Sequence, residues 1–336
     1  MEIKDFIKVE LLSGKDVSTS YSVKGVCYDV KFCVPEPDKG INIYHIIAIP
    51  KVDNMSFRIA MESNNLETDS LLSMMEQGAR VAYKLALLTD NKPCPIVVPL
   101  LPSIKNGPYF QQLSSECFEL SSDNLNYRID NQVLRIIEKV REGVKEKNGQ
   151  DLYEKIFLNG YSCSGVFAQR FALIHPEVID TICIGGASGS IPIPDVTFDY
   201  PIGVKNYKKL FGKDFNVDEY LKIRQRYYVG EFETINKVLH IVDDNGNPVP
   251  MHDMSYFNRS VLEDVGRRQR AMLGEEMFER ARNTINILEI NGVDIVHTVI
   301  PGRTHNDNSG HGVNELADKI INDSYTESIK IKNKER

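Results

Sequence analysis

Residues 157–171 read FLNGYSCSGVFAQRF and carry the clearest structural signal in the sequence. An apolar run ends in the pattern Gly-x-Ser-x-Ser-Gly, and an amphipathic helix pattern follows at once. This order predicts a strand, a very sharp turn and a helix. Such a turn holds Ser162 in a strained, exposed position at the carboxyl end of a strand, above a helix N-terminus that favours negative charge. Gly160 leaves room where the chain doubles back on itself.

The chain around this turn alternates between strand and helix patterns from residue 56 onward. The predicted strands are 56–61, 95–101, 155–161 and 178–184, and the predicted helices are 69–88, 129–145 and 166–174. Strands that alternate with helices, joined by right-handed crossovers, predict one doubly wound, mostly parallel sheet. The first 55 residues are β-rich, with strong strand patterns at 21–34 and 43–49, and they predict an antiparallel edge of that sheet.

The predicted strand, turn and helix resemble the nucleophile elbow of the α/β-hydrolase fold serine hydrolases. The usual pattern is Gly-x-Ser-x-Gly, whereas here Ser164 stands at the position of the second glycine and Gly165 follows it. A serine is small enough for close packing of strand against helix. The resemblance covers residues 40–325, and it implies a single α/β-hydrolase domain over residues 1–336 with an antiparallel N-terminal edge.

A stretch of different character occupies residues 187–222, where two Ile-Pro pairs, Tyr200-Pro201 and a short helix pattern interrupt the alternation. The resembling fold carries a cap or lid insertion at this point, between the strand after the nucleophile and the strand that carries the acid. The resemblance therefore implies that residues 187–222 form a small cap over the pocket. A surface excursion without a role in binding is the alternative.

A serine nucleophile needs a general base, and the resemblance places that base in a loop just after the last strand. Residues 294–300 predict such a strand, and His305 follows it. His305 is therefore the predicted base, and His311 is its rival. The segment 305–311, which holds both histidines, could also suggest a metal site. Its histidines do not have the i, i+4 spacing of a helical metal site, and the sequence offers no second cluster of ligands. We expect neither a metal nor a cofactor.

The acid of the triad has two candidates, because two apolar runs compete for the strand before it. The run 224–229 is followed by a Gly-x-x-Glu spacing that ends at Glu233 and resembles the family's Gly-x-x-Asp turn. The run 237–242 is cleaner and is followed by Asp244, but the residues after it have the composition of a hairpin turn. We favour Glu233 as the acid and keep Asp244 as the alternative.

An oxyanion hole needs two backbone N–H groups aimed at the developing charge. The resemblance assigns one to Cys163, the residue after the nucleophile, and the other to the loop after strand 56–61, where position selects Asn64. The loop 102–110 is expected to line the acyl or alcohol pocket. Cys163 is not itself a good nucleophile candidate, since Gly160 lies three residues before it rather than two.

The composition of the chain predicts which partners and which cellular location are expected. A formal net charge of −7 argues against a nucleic-acid partner. The start of the chain lacks the features of a signal peptide, and no apolar run is long enough to span a bilayer. The six cysteines are scattered, which favours reduced thiols in a cytoplasmic protein over three disulfides in a secreted one. The oligomeric state stays open, and a homo-oligomer is one option.

The chemistry that the resemblance implies is acyl transfer through an acyl-enzyme, without a cofactor. Ser162 would attack a small or medium carboxylic ester, His305 would take the serine proton, and Glu233 would orient His305. A peptidase, thioesterase or acyltransferase would use the same triad, because pocket shape separates these activities. The alternative from another class is a non-catalytic binding protein with the hydrolase fold.

Overall fold

A nine-stranded sheet forms the centre of the chain in the computed structural model, which describes residues 10–65, 70–104, 107–233, 241–242, 248–249, 259–305 and 315–330. In chain order the strands are β1 (Val17–Val23), β2 (Val26–Cys33), β3 (His45–Pro50), β4 (Ala60–Met61), β5 (Ile96–Pro99), β6 (Ile156–Tyr161), β7 (Ile179–Gly185), β8 (Arg224–Gly230), β9 (Ile241–Val242), β10 (Pro248–Val249) and β11 (Ile295–Ile300). β9 and β10 form a separate two-stranded ribbon.

The order across the large sheet is β1-β2-β3-β5-β4-β6-β7-β8-β11. The strands β1, β2 and β3 pair antiparallel with their neighbours, and β3 is antiparallel to β5. All pairings from β5 to β11 are parallel. This mixed sheet with an antiparallel N-terminal edge has the α/β-hydrolase architecture predicted from the sequence, so the predicted fold class is confirmed.

Helices cover both faces of the sheet. In chain order they are α1 (Leu71–Leu88), α2 (Ile129–Asn148), α3 (Cys163–Ile174), α4 (Tyr207–Phe211), α5 (Val217–Leu221), α6 (Arg259–Leu273), α7 (Met277–Ile290) and α8 (Glu315–Lys330). One core cluster packs α2, α3 and α7 against one face, and a second packs α1 and α8 against the other. Because both faces are covered, every residue of β5 and β6 is buried, which explains their continuous apolar runs.

The predicted cap, residues 187–222, packs against the elbow helix through an aromatic cluster. Tyr200, Tyr207 and Phe211 are buried in the same core cluster as α3. The Tyr207 hydroxyl donates a hydrogen bond of 2.6 Å to the carbonyl of Ile174, and the Tyr200 hydroxyl donates one to the carbonyl of Leu113. These contacts attach the segment firmly to the domain, and its role as a lid stays a prediction.

Two further expectations concern cysteines and membranes. No disulfide links the six cysteines, all of which lie in the described part of the chain. Within the same residues, none of the helices combines the length and the apolar character that crossing a membrane would demand.

His45 of β3 is a buried histidine with a perturbed pKa. Its side chain is only 1% exposed. Burial, helped by the Lys139 ammonium 3.5 Å from Nε2, lowers the pKa of His45 to about 4. The imidazole is therefore neutral in the folded protein at pH values where the unfolded chain already binds a proton.

This difference predicts a loss of stability in mild acid. The contribution of His45 is fully present above pH ~6.5, the unfolded value, and is lost as the pH falls toward the folded value of about 4. The loss amounts to about 3 kcal/mol. Urea unfolding of the wild type and of His45→Gln between pH 7 and 4.5 measures it, and the variant should show the shallower slope. Parallel slopes would contradict this assignment.

Candidate active site

The turn between β6 and α3 has the backbone geometry of a nucleophile elbow. Ser162 is the single residue between the two elements, and its backbone angles are φ 56° and ψ −117°. A non-glycine residue rarely adopts a positive φ, so the turn is strained. Two hydrogen bonds hold it: the Ser162 N–H donates to the carbonyl of Gly185 at 2.9 Å, and the Ser162 carbonyl accepts from the N–H of Val166 at 3.0 Å.

Gly160 allows the close approach that this turn requires. A Cβ atom at Gly160 would lie 2.4 Å from the carbonyl oxygen of Ser164 and 2.8 Å from Cα of Gly165. Both neighbours are backbone atoms of the returning helix, which cannot rotate away. The absence of a side chain at Gly160 is therefore a condition for strand and helix to meet at this angle.

Ser164, which departs from the usual glycine, is a hydrogen-bonding residue of the turn. Its hydroxyl oxygen accepts from the Tyr161 N–H at 2.8 Å and lies 3.0 Å from the Tyr161 carbonyl and 3.4 Å from Oε1 of Glu62. Its own N–H donates to the Asn65 side-chain oxygen at 3.1 Å. The sequence pattern shows only that a serine is small enough to fit, whereas the structure shows that it links the elbow to the loop after β4.

A buried polar cluster lies behind this serine. The Asn159 amide donates to Oε2 of Glu62 at 2.6 Å, and Nζ of Lys84 lies 3.7 Å from the same oxygen. All three side chains are buried. Opposite charge and hydrogen bonds compensate the buried carboxylate, which would otherwise be costly to remove from water. Sequence reasoning missed this cluster because its members come from three separate parts of the chain: the loop after β4, α1 and β6.

Glu233 and His305 form a buried pair. Oε1 of Glu233 is hydrogen-bonded to Nδ1 of His305, and the residues are 1% and 6% exposed. The Glu233 N–H donates to the carbonyl of Gly230 at 3.0 Å, so Glu233, the predicted acid, lies in a tight turn directly after β8. A carboxylate at Nδ1 selects the tautomer in which Nδ1 carries the proton and Nε2 has a lone pair.

The loops that carry this pair are joined to each other. The Glu231 N–H donates to the carbonyl of Ile300 at 2.9 Å, and the Phe232 N–H donates to the carbonyl of Arg303 at 2.8 Å. The N–H of Gly302 donates to Oε2 of Glu231 at 2.7 Å. The parallel pairing of β8 and β11 thus continues into both loops. As a result, the residue three positions after Gly230 meets the residue five positions after Ile300.

The imidazole of His305 packs on the chain segment that also holds the elbow. Gly186 has a left-handed φ of 62°, and a Cβ there would lie 2.8 Å from Cε1 of His305. The residue before it, Gly185, accepts the Ser162 N–H. Residues 185–186 therefore contact both Ser162 and His305, the predicted nucleophile and the predicted base.

The loop after β4 does not direct the Asn64 N–H toward the elbow. The N–H groups of Ala60, Glu62 and Asn64 donate in turn to the carbonyls of Pro95, Val97 and Pro99 on the β5 side. The Asn64 side chain bonds both backbone groups of Leu101. The next residue, Asn65, contacts the elbow instead, because its side-chain oxygen accepts the Ser164 N–H. This geometry argues against Asn64 and favours Asn65.

Cys163, the other predicted oxyanion donor, is the first residue of α3. A helix N-terminus directs backbone N–H groups and positive potential outward, as anion stabilisation requires. The Cys163 thiol contacts the Tyr109 hydroxyl and, at 3.5 Å, the Gln112 side-chain amide. The end of the loop predicted to line the pocket therefore lies beside the elbow.

The structure bears differently on the alternative base, the alternative acid and the alternative of a metal site. His311 and Asp244 lie outside the described residues. Ile241–Val242, the end of the apolar run before Asp244, pairs as β9 with β10 and not with the large sheet. The described end of that run therefore lies outside the large sheet, whereas the strand before Glu233 is β8 of the large sheet. Across the described parts of the chain, no group of three or more His, Cys, Asp or Glu residues is arranged to hold a metal.

Comparisons with known proteins give similarity of fold only. No protein-family model matches this chain, and no curated protein matches it either. A thermostable esterase is 15% identical with a TM-score of 0.41, over 91% of this chain and 62% of that chain, which is less than two thirds of its length. An S-formylglutathione hydrolase from Agrobacterium tumefaciens is 13% identical with a TM-score of 0.45, over 93% and 98% of the two chains. A hyperthermophilic esterase from the archaeon Pyrobaculum calidifontis is 11% identical with a TM-score of 0.40, over 99% and 94%. Similarities of this size assign no activity.

The elbow geometry predicts that Gly160→Ala is severely disruptive. The new methyl group would clash with backbone atoms at 2.4 to 2.8 Å, so strand and helix must separate. We expect a loss of more than ~2 kcal/mol in the free energy of unfolding, or no soluble protein. Gly143→Ala is the matched control, because Gly143 lies in α2 with nothing within 4 Å of its Cβ position. That change should be neutral or stabilising by ~0.5–1 kcal/mol. Equal urea midpoints for the two variants would refute the clash.

Proposed function

We propose that this protein is a serine hydrolase that cleaves carboxylic esters through an acyl-enzyme. The observation that carries the proposal is the buried Glu233–His305 pair, whose imidazole packs on the segment that binds the strained backbone of Ser162. A nucleophile, a base and an orienting carboxylate, here after three strands of one parallel sheet, are the three components that acyl transfer by serine needs.

The first half of the reaction forms the ester of Ser162. His305 Nε2 removes the hydroxyl proton while Oγ attacks the carbonyl carbon of the substrate. The carbonyl oxygen becomes an oxyanion, which the N–H groups of Cys163 and Asn65 stabilise. The tetrahedral intermediate then collapses: the bond to the leaving alcohol breaks, and the imidazolium of His305 donates its proton to that alcohol.

The second half regenerates the enzyme. A water molecule replaces the alcohol, His305 takes its proton, and the hydroxide attacks the acyl carbon. Collapse releases the carboxylic acid and returns the proton to Oγ of Ser162. Glu233 orients His305 and stabilises the imidazolium that forms in each half. Because the pair is almost fully buried, this electrostatic contribution is stronger than it would be in water. No cofactor enters any step.

A variant series tests the assignment of the triad. Hydrolysis of p-nitrophenyl acetate and butyrate is measured for the wild type, Ser162→Ala, Glu233→Gln and Asp244→Asn. We expect kcat to fall by about 10⁴-fold or more for Ser162→Ala. Glu233→Gln should lower it by about 10³-fold or more, because the amide disturbs the imidazole tautomer. Asp244→Asn should retain close to the wild-type rate.

Other outcomes have distinct meanings. If Asp244→Asn is the damaging change, the proposed serine hydrolase activity still holds, but Glu233 is not the acid. If thioesters or peptides are cleaved and simple esters are not, the proposed triad is retained, but the proposed specificity for esters is wrong. If the wild type turns over no acyl substrate and takes no fluorophosphonate label, the proposal of an enzyme is wrong.

A further inference from the structure

We infer that Tyr161 is a positioning residue that holds the predicted base at the nucleophile, through a hydrogen bond from its hydroxyl to the backbone carbonyl of His305. The inference rests on the proposed function, since it concerns the geometry of the same site. It assigns a role to the residue immediately before Ser162, a position at which the pattern Gly-x-Ser allows any amino acid.

Tyr161 contacts His305 through both its ring and its hydroxyl. It is the last residue of β6, and it is 5% exposed. Its ring centroid is 5.1 Å from that of the His305 imidazole, with the two planes inclined by 43°. Beyond the ring, the hydroxyl donates to the His305 carbonyl oxygen. One side chain thus contacts both the imidazole and the main chain of the loop that carries it.

This contact supplies a constraint that the Glu233–His305 pair does not. The hydrogen bonds between the loops after β8 and β11 fix the base relative to the acid. They do not fix the base relative to Ser162, which directly follows β6, and in the sheet both β7 and β8 lie between β6 and β11. Contacts from Tyr161 and Gly186 instead join His305 to the chain around Ser162.

The proposed reaction makes the distance between the His305 imidazole and the Ser162 hydroxyl critical. Proton transfer requires the base within about 2.6–3.2 Å of the serine hydroxyl. A misplacement of ~1 Å, even from a change that leaves the reacting groups intact, lowers rates by about 10²-fold. The Tyr161 hydroxyl bonds a carbonyl oxygen and leaves both imidazole nitrogens to Glu233 and Ser162. Its expected role is therefore to place the base and not to transfer a proton.

Tyr228 offers a matched control. It lies on β8 with its ring centroid 6.2 Å from that of Tyr161, and it is fully buried. Among the described residues its hydroxyl has no hydrogen-bond partner. Tyr161→Phe and Tyr228→Phe therefore remove the same atom from neighbouring rings, and only the first removes a bond to the base loop.

The experiment compares both variants with the wild type on p-nitrophenyl butyrate, with rates normalised to sites titrated by a fluorophosphonate. For Tyr161→Phe we expect kcat per titrated site to fall by about 10- to 100-fold, with KM within about twofold. Tyr228→Phe should stay within about twofold of the wild type. A merely structural role would reduce the number of titrated sites and not the rate of each.

The pH profile gives a second readout. Because Glu233 and His305 would move together, Tyr161→Phe should lower kcat/KM at every pH without shifting the midpoint of its acidic limb. Equal rates for the two phenylalanine variants would refute the inference while leaving the proposed function intact, and so would a shifted midpoint. A wild type that neither labels nor hydrolyses the ester would instead remove the proposed function itself.

Discussion

The backbone of Ser162 adopts a φ of 56°, a conformation that costs an L-amino acid about 1–3 kcal/mol and persists only where neighbouring structure enforces it. Here the enforcement comes from both sides of the turn. Gly185 binds the Ser162 N–H, Val166 binds its carbonyl, and Gly160 lets the helix approach. The rest of the site depends on this constraint, because the turn determines where the hydroxyl stands relative to every other group.

The ends of four other strands are arranged around that turn. β4 leads into the loop of Asn65, which contacts Ser164, and β7 ends in the segment that binds Ser162 and supports His305. β8 and β11 provide Glu233 and His305. Carboxyl ends of parallel strands meet at one edge of a sheet, and ligands of open α/β sheets bind in the crevice outside that edge. Glu62, Lys84 and Asn159 add a buried polar support behind the elbow.

The sequence predicts best what depends on neighbouring residues. The strand, turn and helix around Ser162 follow from one short stretch, and the parallel sheet follows from the alternation of patterns. What depends on pairing over long distances could not be read in the same way. The apolar run before Asp244 competes with the run before Glu233 for a place in the sheet, and only the pairing of Ile241–Val242 with β10 shows that its described end lies outside the large sheet. The choice between Asn64 and Asn65 depends on which N–H groups face β5, a register that no local pattern encodes.

The most direct test of Ser162 as the nucleophile is to observe the acyl-enzyme. The wild type and His305→Ala are mixed rapidly with excess p-nitrophenyl acetate, quenched in acid, and analysed by intact mass and peptide mapping. We expect a burst of p-nitrophenol in the wild type, with one acetyl group on Ser162 within the peptide that also holds Cys163. His305→Ala should show neither the burst nor the acetyl group. Ester turnover with the acetyl group on Cys163, or with no acetyl group on the protein, would contradict Ser162 as the nucleophile.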